Sequence, residues 1–289
     1  MKRKLVIGSA NFGLNYGFKN SNGKLSQELV YELLDCAWLN SIDTIDTAMG
    51  YGDSESVIGK YLLKNADKHF KIITKINKID KPFDRLNESL KNLNLSGVDY
   101  FLIHNFNYFE KYPELIDHLV RFKKEGKCNK IGISLYYPEE LEFLLKNKVP
   151  IDAIQIAYSI FDQRFKYLFQ TLKDMGIEIH VRSVFLQGLF FAKTSDLNNH
   201  FNKVKSKIDQ VQQISADSGI SIASLCLNFA YNNAFIDKII IGVDNMENLK
   251  NNIKVLEDKE SVKPFIESLK NLSETDVNIL FPHFWKLDK

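Results

Sequence analysis

Short runs of Ile, Val and Leu recur along the chain, and each is followed by a longer segment whose apolar positions fall three and four residues apart. The first pattern predicts buried strands and the second predicts amphipathic helices. Strands are expected at Leu5-Val6-Ile7-Gly8-Ser9, over Ser41 to Asp46, at Lys71-Ile72-Ile73-Thr74-Lys75, over Asp99 to His104, at Lys130-Ile131-Gly132-Ile133-Ser134, at Ala153-Ile154-Gln155-Ile156, over Glu178 to Ser183 and at Lys238-Ile239-Ile240-Ile241-Gly242. Between them, Ser26 caps a helix whose apolar face is Leu29, Val30, Leu33, Leu34, Ala37 and Trp38. Further helices are expected over Glu55 to Lys64, through Leu86, Leu90 and Leu93, through Leu115, Leu119 and Phe122, and from Pro138 through Leu145. Others run over Leu168 to Met175 with Gly176 as the stop signal, over Lys203 to Asp217, over Ile222 to Tyr231, and over Met246 to Leu256.

Eight strands, each followed by a helix in a unit of about 30 to 35 residues, fit a closed parallel TIM (β/α)8 barrel. An open doubly wound sheet is the alternative, but no G-x-G-x-x-G turn follows the first strand. No Pro/Gly/Ser-rich linker divides the 289 residues, so one domain over 1–289 is expected. The segment from Asp258 to Lys289, with Pro264, Pro282 and Trp285, is expected to close over one end of the barrel.

Charge and composition narrow the partners. With 45% hydrophobic residues the chain can bury a large core. A net charge of +2, with no basic stripe interleaved with aromatics, points away from nucleic acid and acidic membrane surfaces and toward small molecules. The N-terminal Met1-Lys2-Arg3-Lys4 leads straight into a strand-like run, so neither a cleaved leader nor a membrane span is expected. Cys36, Cys128 and Cys226 are odd in number and far apart, which suits a reducing compartment, and a cytoplasmic location is expected. His69, His118, His180, His200 and His283 show no metal-ligand spacing, so no metal is expected.

The working residues of such barrels come from the C-terminal ends of strands. The second strand ends in Asp46, the third in Lys75 and the fourth in His104, and Tyr51 lies on the loop after the second. Each alone has an ordinary reading as a capping acid, a solvated lysine, a structural histidine or a surface aromatic. Together they form a chemical set. A phenol of ordinary pKa, about 10, is a poor acid at neutral pH, and a neighbouring ammonium lowers that value. Lys75 can do this, Asp46 can hold the ammonium, and His104 can align a carbonyl oxygen. A Schiff base on Lys75 is the rival mechanism, and it leaves Tyr51 without a role. Phe12, Tyr16, Tyr136, Phe185, Phe190 and Trp285 are candidates for a substrate wall, with core packing as the competing role.

On Leu5 to Gly13, on Asp46-Thr47-Ala48 with Tyr51-Gly52 and Ser54-Glu55, and on Lys75 and His104 in order, the chain resembles an aldo-keto reductase. The resemblance spans nearly the whole chain. It implies an Asp46, Tyr51, Lys75, His104 tetrad and NADPH, with NADH possible, bound across the barrel mouth. Hydride would pass to a small aldehyde, ketone or sugar, and steroid-sized substrates are not expected from the modest loops. Ser134 and Gln155 are implied to hold the carboxamide, and Arg182, Ser183, Gly242, Asn248 and Asn252 to complete the cofactor site. Four features depart from the common pattern. Leu135 follows Ser134 where Asn is usual, and Arg182 replaces an aromatic that stacks on the nicotinamide; its planar guanidinium can stack there too or pair with an anionic substrate. Residues 242–248 lack the Lys or Arg that often meets the 2′-phosphate, leaving Lys250 as the nearest base. The N-terminal stretch is short for the hairpin that plugs the barrel floor in many relatives. A regulatory barrel that binds the nucleotide with negligible turnover is the second functional class; sustained oxidation of NADPH with aldehydes separates the two. Oligomeric state, physiological substrate and reaction direction are not legible.

Overall fold

Runs of β-branched residues that are apolar on both faces can only be strands covered on both sides, and a parallel sheet closed on itself provides that cover. In the computed structural model, which describes residues 4–15, 23–77 and 81–285, the eight runs form β1 (Leu5–Gly8), β2 (Thr44–Asp46), β3 (Lys71–Ile76), β4 (Val98–Ile103), β5 (Cys128–Ser134), β6 (Ala153–Ala157), β7 (Glu178–Arg182) and β8 (Lys238–Gly242). Each strand pairs in parallel with its neighbours in sequence, and β8 returns to β1, closing the barrel. Tyr16 falls outside the described residues, as do Met1, Lys2 and Arg3.

Period-two alternation splits the core. Val6, Ile73, Tyr100, Leu102, Ala153 and Ile240 face one another inside the barrel, while Leu5, Ile7, Ile45, Ile72, Phe101 and Ile133 belong to the larger core shared with the helices. The register sets Gly8 beside both Asp46 and Gly242, and Ser134 beside Gln155, so these strand ends share one rim.

The expected helices form between the strands; one begins on the expected cap Ser26, and two others begin on Ser221 and Asn245, which were not singled out. Ser26 Oγ accepts from Leu29 N–H, Ser221 Oγ from Ser224 N–H and Asn245 Oδ1 from Asn248 N–H. The second strand is shorter than predicted because Ser41, at φ +61°, turns the chain before it. The C-terminal segment packs over the loops that follow β5, β6 and β7. Phe281 contacts the Tyr136 ring, Glu274 N–H donates to Phe161 O, and Trp285 packs edge-on against Phe201. Among the described residues no helix is long and apolar enough to cross a membrane.

Candidate active site

Asp46 and Lys75 point inward from adjacent strands and are almost wholly buried. The Lys75 ammonium donates to Asp46 Oδ2 at 2.6 Å and to Thr47 O at 2.9 Å. Gln155, across the barrel on β6, donates from Nε2 to the other Asp46 oxygen at 2.7 Å. Burial drives the Lys75 pKa below its ordinary value, and Asp46 opposes that pull.

Tyr51 sits on the turn between β2 and the helix Ser54–Lys64. Two glycines let this turn press backbone to backbone against the short helix Ala10–Gly13: a Cβ on Gly13 would lie 1.8 Å from Tyr51 O, and Gly52 has φ +58°. Ser54 Oγ ties the turn down, donating to Ser9 Oγ at 2.8 Å and lying 3.0 Å from Thr47 Oγ1. The result puts the Lys75 ammonium 5.2 Å from the centre of the Tyr51 ring. His104 stands edge-on to the same ring with centroids 5.5 Å apart. It is the first residue past β4, its N–H bonded to Ile76 O. Burial, then Lys75 and Arg182, push its pKa down to about 3, so the ring is neutral at physiological pH. All four tetrad residues therefore meet at one rim.

Beside them opens a cavity of about 540 Å³, walled by the ends of β1, β6, β7 and β8 and the helix Met246–Lys254. Asp46, Tyr51, Gln155, Arg182, Ser183, Gly242, Asn248 and Asn252 all contribute to its wall. Ser134 is buried beside Gln155 and is not part of the wall, and the Gln155 amide N–H is already engaged by Asp46. The Arg182 guanidinium carbon lies 4.6 Å from the centre of the Tyr136 ring, so the side chain leans toward the loop after β5. Its Nη2 is buried without a hydrogen-bond partner, as is Oδ1 of Asn11, another wall residue.

Several wall residues were not predicted. Asn251 stands on the helical face that carries Asn248 and Asn252, and the three- and four-residue spacing could have revealed it. Asp244, Gln187 and Phe191 depend on loop paths that no periodic pattern encodes. After β7, Ser183 has φ +63°, and Phe185 in a right-handed conformation is followed by Leu186, Gln187 and Gly188 at φ +43°, +49° and +90°. The turn closes on itself, with Leu186 N–H bonded to Ser183 O at 2.9 Å and Gly188 N–H to Phe185 O at 2.8 Å. Three non-glycine residues held in the left-handed region are strain of the kind found at ligand sites. Of the aromatics proposed for a substrate wall, Phe185 lines the cavity and Tyr136 backs Arg182. Phe12 and Phe190 are core residues, and Trp285 donates to Ile279 O within the C-terminal segment.

A closed β/α barrel with an acid, a phenol, an ammonium and a neutral imidazole gathered at its C-terminal rim is an oxidoreductase barrel. The family model for the aldo/keto reductase family matches residues 4–274, and the chain belongs to that family. It is 24% identical to L-galactose dehydrogenase of Arabidopsis thaliana over 80% of this chain and 82% of that one. It is 23% identical to L-glyceraldehyde 3-phosphate reductase of Escherichia coli, over 67% of this chain and 64% of that one. Its fold matches the holo form of aldo-keto reductase AKR11C1 from Bacillus halodurans with a TM-score of 0.77 at 19% identity, covering 98% of this chain and 95% of that one. The family's nicotinamide cofactor suits the residues present, since the buried unbonded polar atoms Asn11 Oδ1 and Arg182 Nη2 border the cavity beside Tyr51.

Proposed function

We propose that the chain reduces the carbonyl of a small aldehyde, ketone or sugar, with a reduced nicotinamide cofactor as hydride source and Tyr51 as general acid. The observation that carries this reading is the buried Asp46–Lys75 pair beside the Tyr51 ring, with neutral His104 against the same phenol. When bound, the cofactor supplies a hydride to the carbonyl carbon. The Tyr51 hydroxyl gives its proton to the oxygen that gains charge, and the Lys75 ammonium stabilises the phenolate left behind. Asp46 fixes the ammonium, and Gln155 fixes Asp46. Because His104 stays neutral, it can donate an N–H to the carbonyl oxygen without competing as an acid.

Arg182, assigned to the cofactor by sequence, leans toward Tyr136, and we assign it to the substrate side of the cavity. The remaining wall residues, Ser183, Gly242, Asn248 and Asn252, are assigned to the cofactor, and Ser134 supports Gln155 from behind. Two of the relatives are named for a sugar and for a sugar phosphate, which supports a small hydroxycarbonyl here. Loss of the reduced cofactor's absorbance with a panel of such aldehydes tests the activity. Tyr51→Phe should lower kcat by at least about a hundredfold and leave the cofactor Kd unchanged; retained turnover would remove Tyr51 as the acid. Cofactor binding without turnover of any aldehyde would favour the regulatory barrel.

A further inference from the structure

The cavity has two chemically different ends. At one stand Tyr51, Asp46 and Arg182; at the other, beyond β8, stand Asp244 and three asparagines, Asn248, Asn251 and Asn252. A dinucleotide whose nicotinamide meets Tyr51 must lay its adenosine at the asparagine end. Among the described wall residues that end contains an acid and no cation. The Lys250 side chain is not part of the wall. Lys254 lines an adjoining cavity, and it does so together with Glu257 and Asp258.

We propose that Asp244 makes this chain select NADH over NADPH by accepting hydrogen bonds from the hydroxyls of the adenosine ribose. The inference rests on the reading of the cavity as a nicotinamide-dinucleotide site. Asp244 follows β8 by two residues, and its Oδ1 is held by Asn248 Nδ2 at 2.5 Å and Asn245 Nδ2 at 3.2 Å. Those bonds aim the carboxylate and leave Oδ2 outside them. A carboxylate here accepts from a ribose diol, the role an acid plays wherever unphosphorylated ribose is recognised. A 2′-phosphate has no proton to offer and carries close to two negative charges, so the same carboxylate repels it. At the start of the helix Met246–Lys254, Asn248 N–H is already taken by Asn245 Oδ1 at 2.8 Å.

Calorimetric titration of the intact chain with NADH and NADPH, and with the fragments ADP-ribose and 2′-phospho-ADP-ribose, tests this without turnover. NADH should bind at least about tenfold tighter than NADPH, with the fragments in the same order, and added salt should narrow the gap. Asp244→Asn should shrink the ratio several-fold, mainly by tightening NADPH, and Asp244→Arg should reverse it; a thermal melt of each variant checks the fold. NADPH binding as tightly as NADH, or a ratio unmoved in Asp244→Asn, overturns the role of Asp244 while the dinucleotide reading stands. If neither dinucleotide nor fragment binds, the dinucleotide reading falls and this inference falls with it.

Discussion

Burial penalises the charge a further proton brings to His104, and Lys75 and Arg182 close by add to that penalty, so its pKa is pushed down to about 3. The unfolded chain binds that proton near the ordinary histidine value, about 6.5. Between those two values the unfolded state holds more protons than the folded one, so stability rises with pH and is lost as pH falls through the window. The loss for this one group is up to about 1.4 kcal/mol per pH unit. Urea unfolding at pH 7 and pH 5 should therefore show the wild type losing up to about 2 kcal/mol more than His104→Asn. Equal losses would mean that His104 titrates like an exposed histidine and that the neutral hydrogen-bond donor assigned to it is wrong. For the same reason the pH profile of kcat should carry no acid limb from His104 near its ordinary pKa.

The turn that carries Tyr51 owes its position to elements that make no contact with substrate. The three atoms nearest a Cβ on Gly13 are all backbone: Tyr51 O at 1.8 Å, Ser54 N at 2.6 Å and Asp53 N at 2.9 Å. Gly13→Ala must push that turn away from the helix Ala10–Gly13, so it should lower kcat by more than about tenfold, since catalysis depends on close placement of the acid. The control is Gly126→Ala, where the added Cβ meets nothing but φ is +71°; it should cost about 1 kcal/mol of stability and leave kcat alone. Steady-state rates and urea midpoints of the two variants decide the matter, and similar rate losses in both would refute the positioning role of Gly13. At this scale the sequence was legible wherever a periodic pattern exists. Ile- and Val-rich runs marked all eight strands, and Asp46, Lys75 and His104 were found because strand ends are where such runs stop. Boundaries slipped by one to three residues: β3 continues to Ile76, and β2 begins only at Thr44. The direction of Arg182, the left-handed run Leu186–Gly188 and the approach of Asp244 to the cavity were illegible, because they depend on loop geometry set by tertiary contacts.

Taken as a whole, the barrel separates chemistry from structural support along its axis, as expected when catalytic groups gather at the C-terminal face. The opposite end is filled by the side chains of its own strands, centred on Glu178 at the start of β7. Its carboxylate accepts from Tyr100 Oη on β4 at 2.8 Å, lies 3.1 Å from His180 Nε2 on β7, and pairs with Lys130 on β5. Burial alone would raise its pKa, yet those three partners hold the carboxyl well below the usual carboxylate range. One carboxylate thus links β4, β5 and β7 at a point where every neighbouring strand contact is parallel backbone pairing. Removing it in Glu178→Ala strands the Tyr100 hydroxyl and the buried imidazole, and should cost about 2 to 3 kcal/mol, less than a fully buried pair because Lys130 reaches solvent. Because Glu178 sits at the far end of the strands from Asp46 and Lys75, kcat/KM of the folded variant should stay within about twofold of wild type. Denaturant midpoints and rates measured below the unfolding transition check both halves of this expectation. A variant of wild-type stability, or a folded one that has lost its rate, would show that the two ends do not work independently.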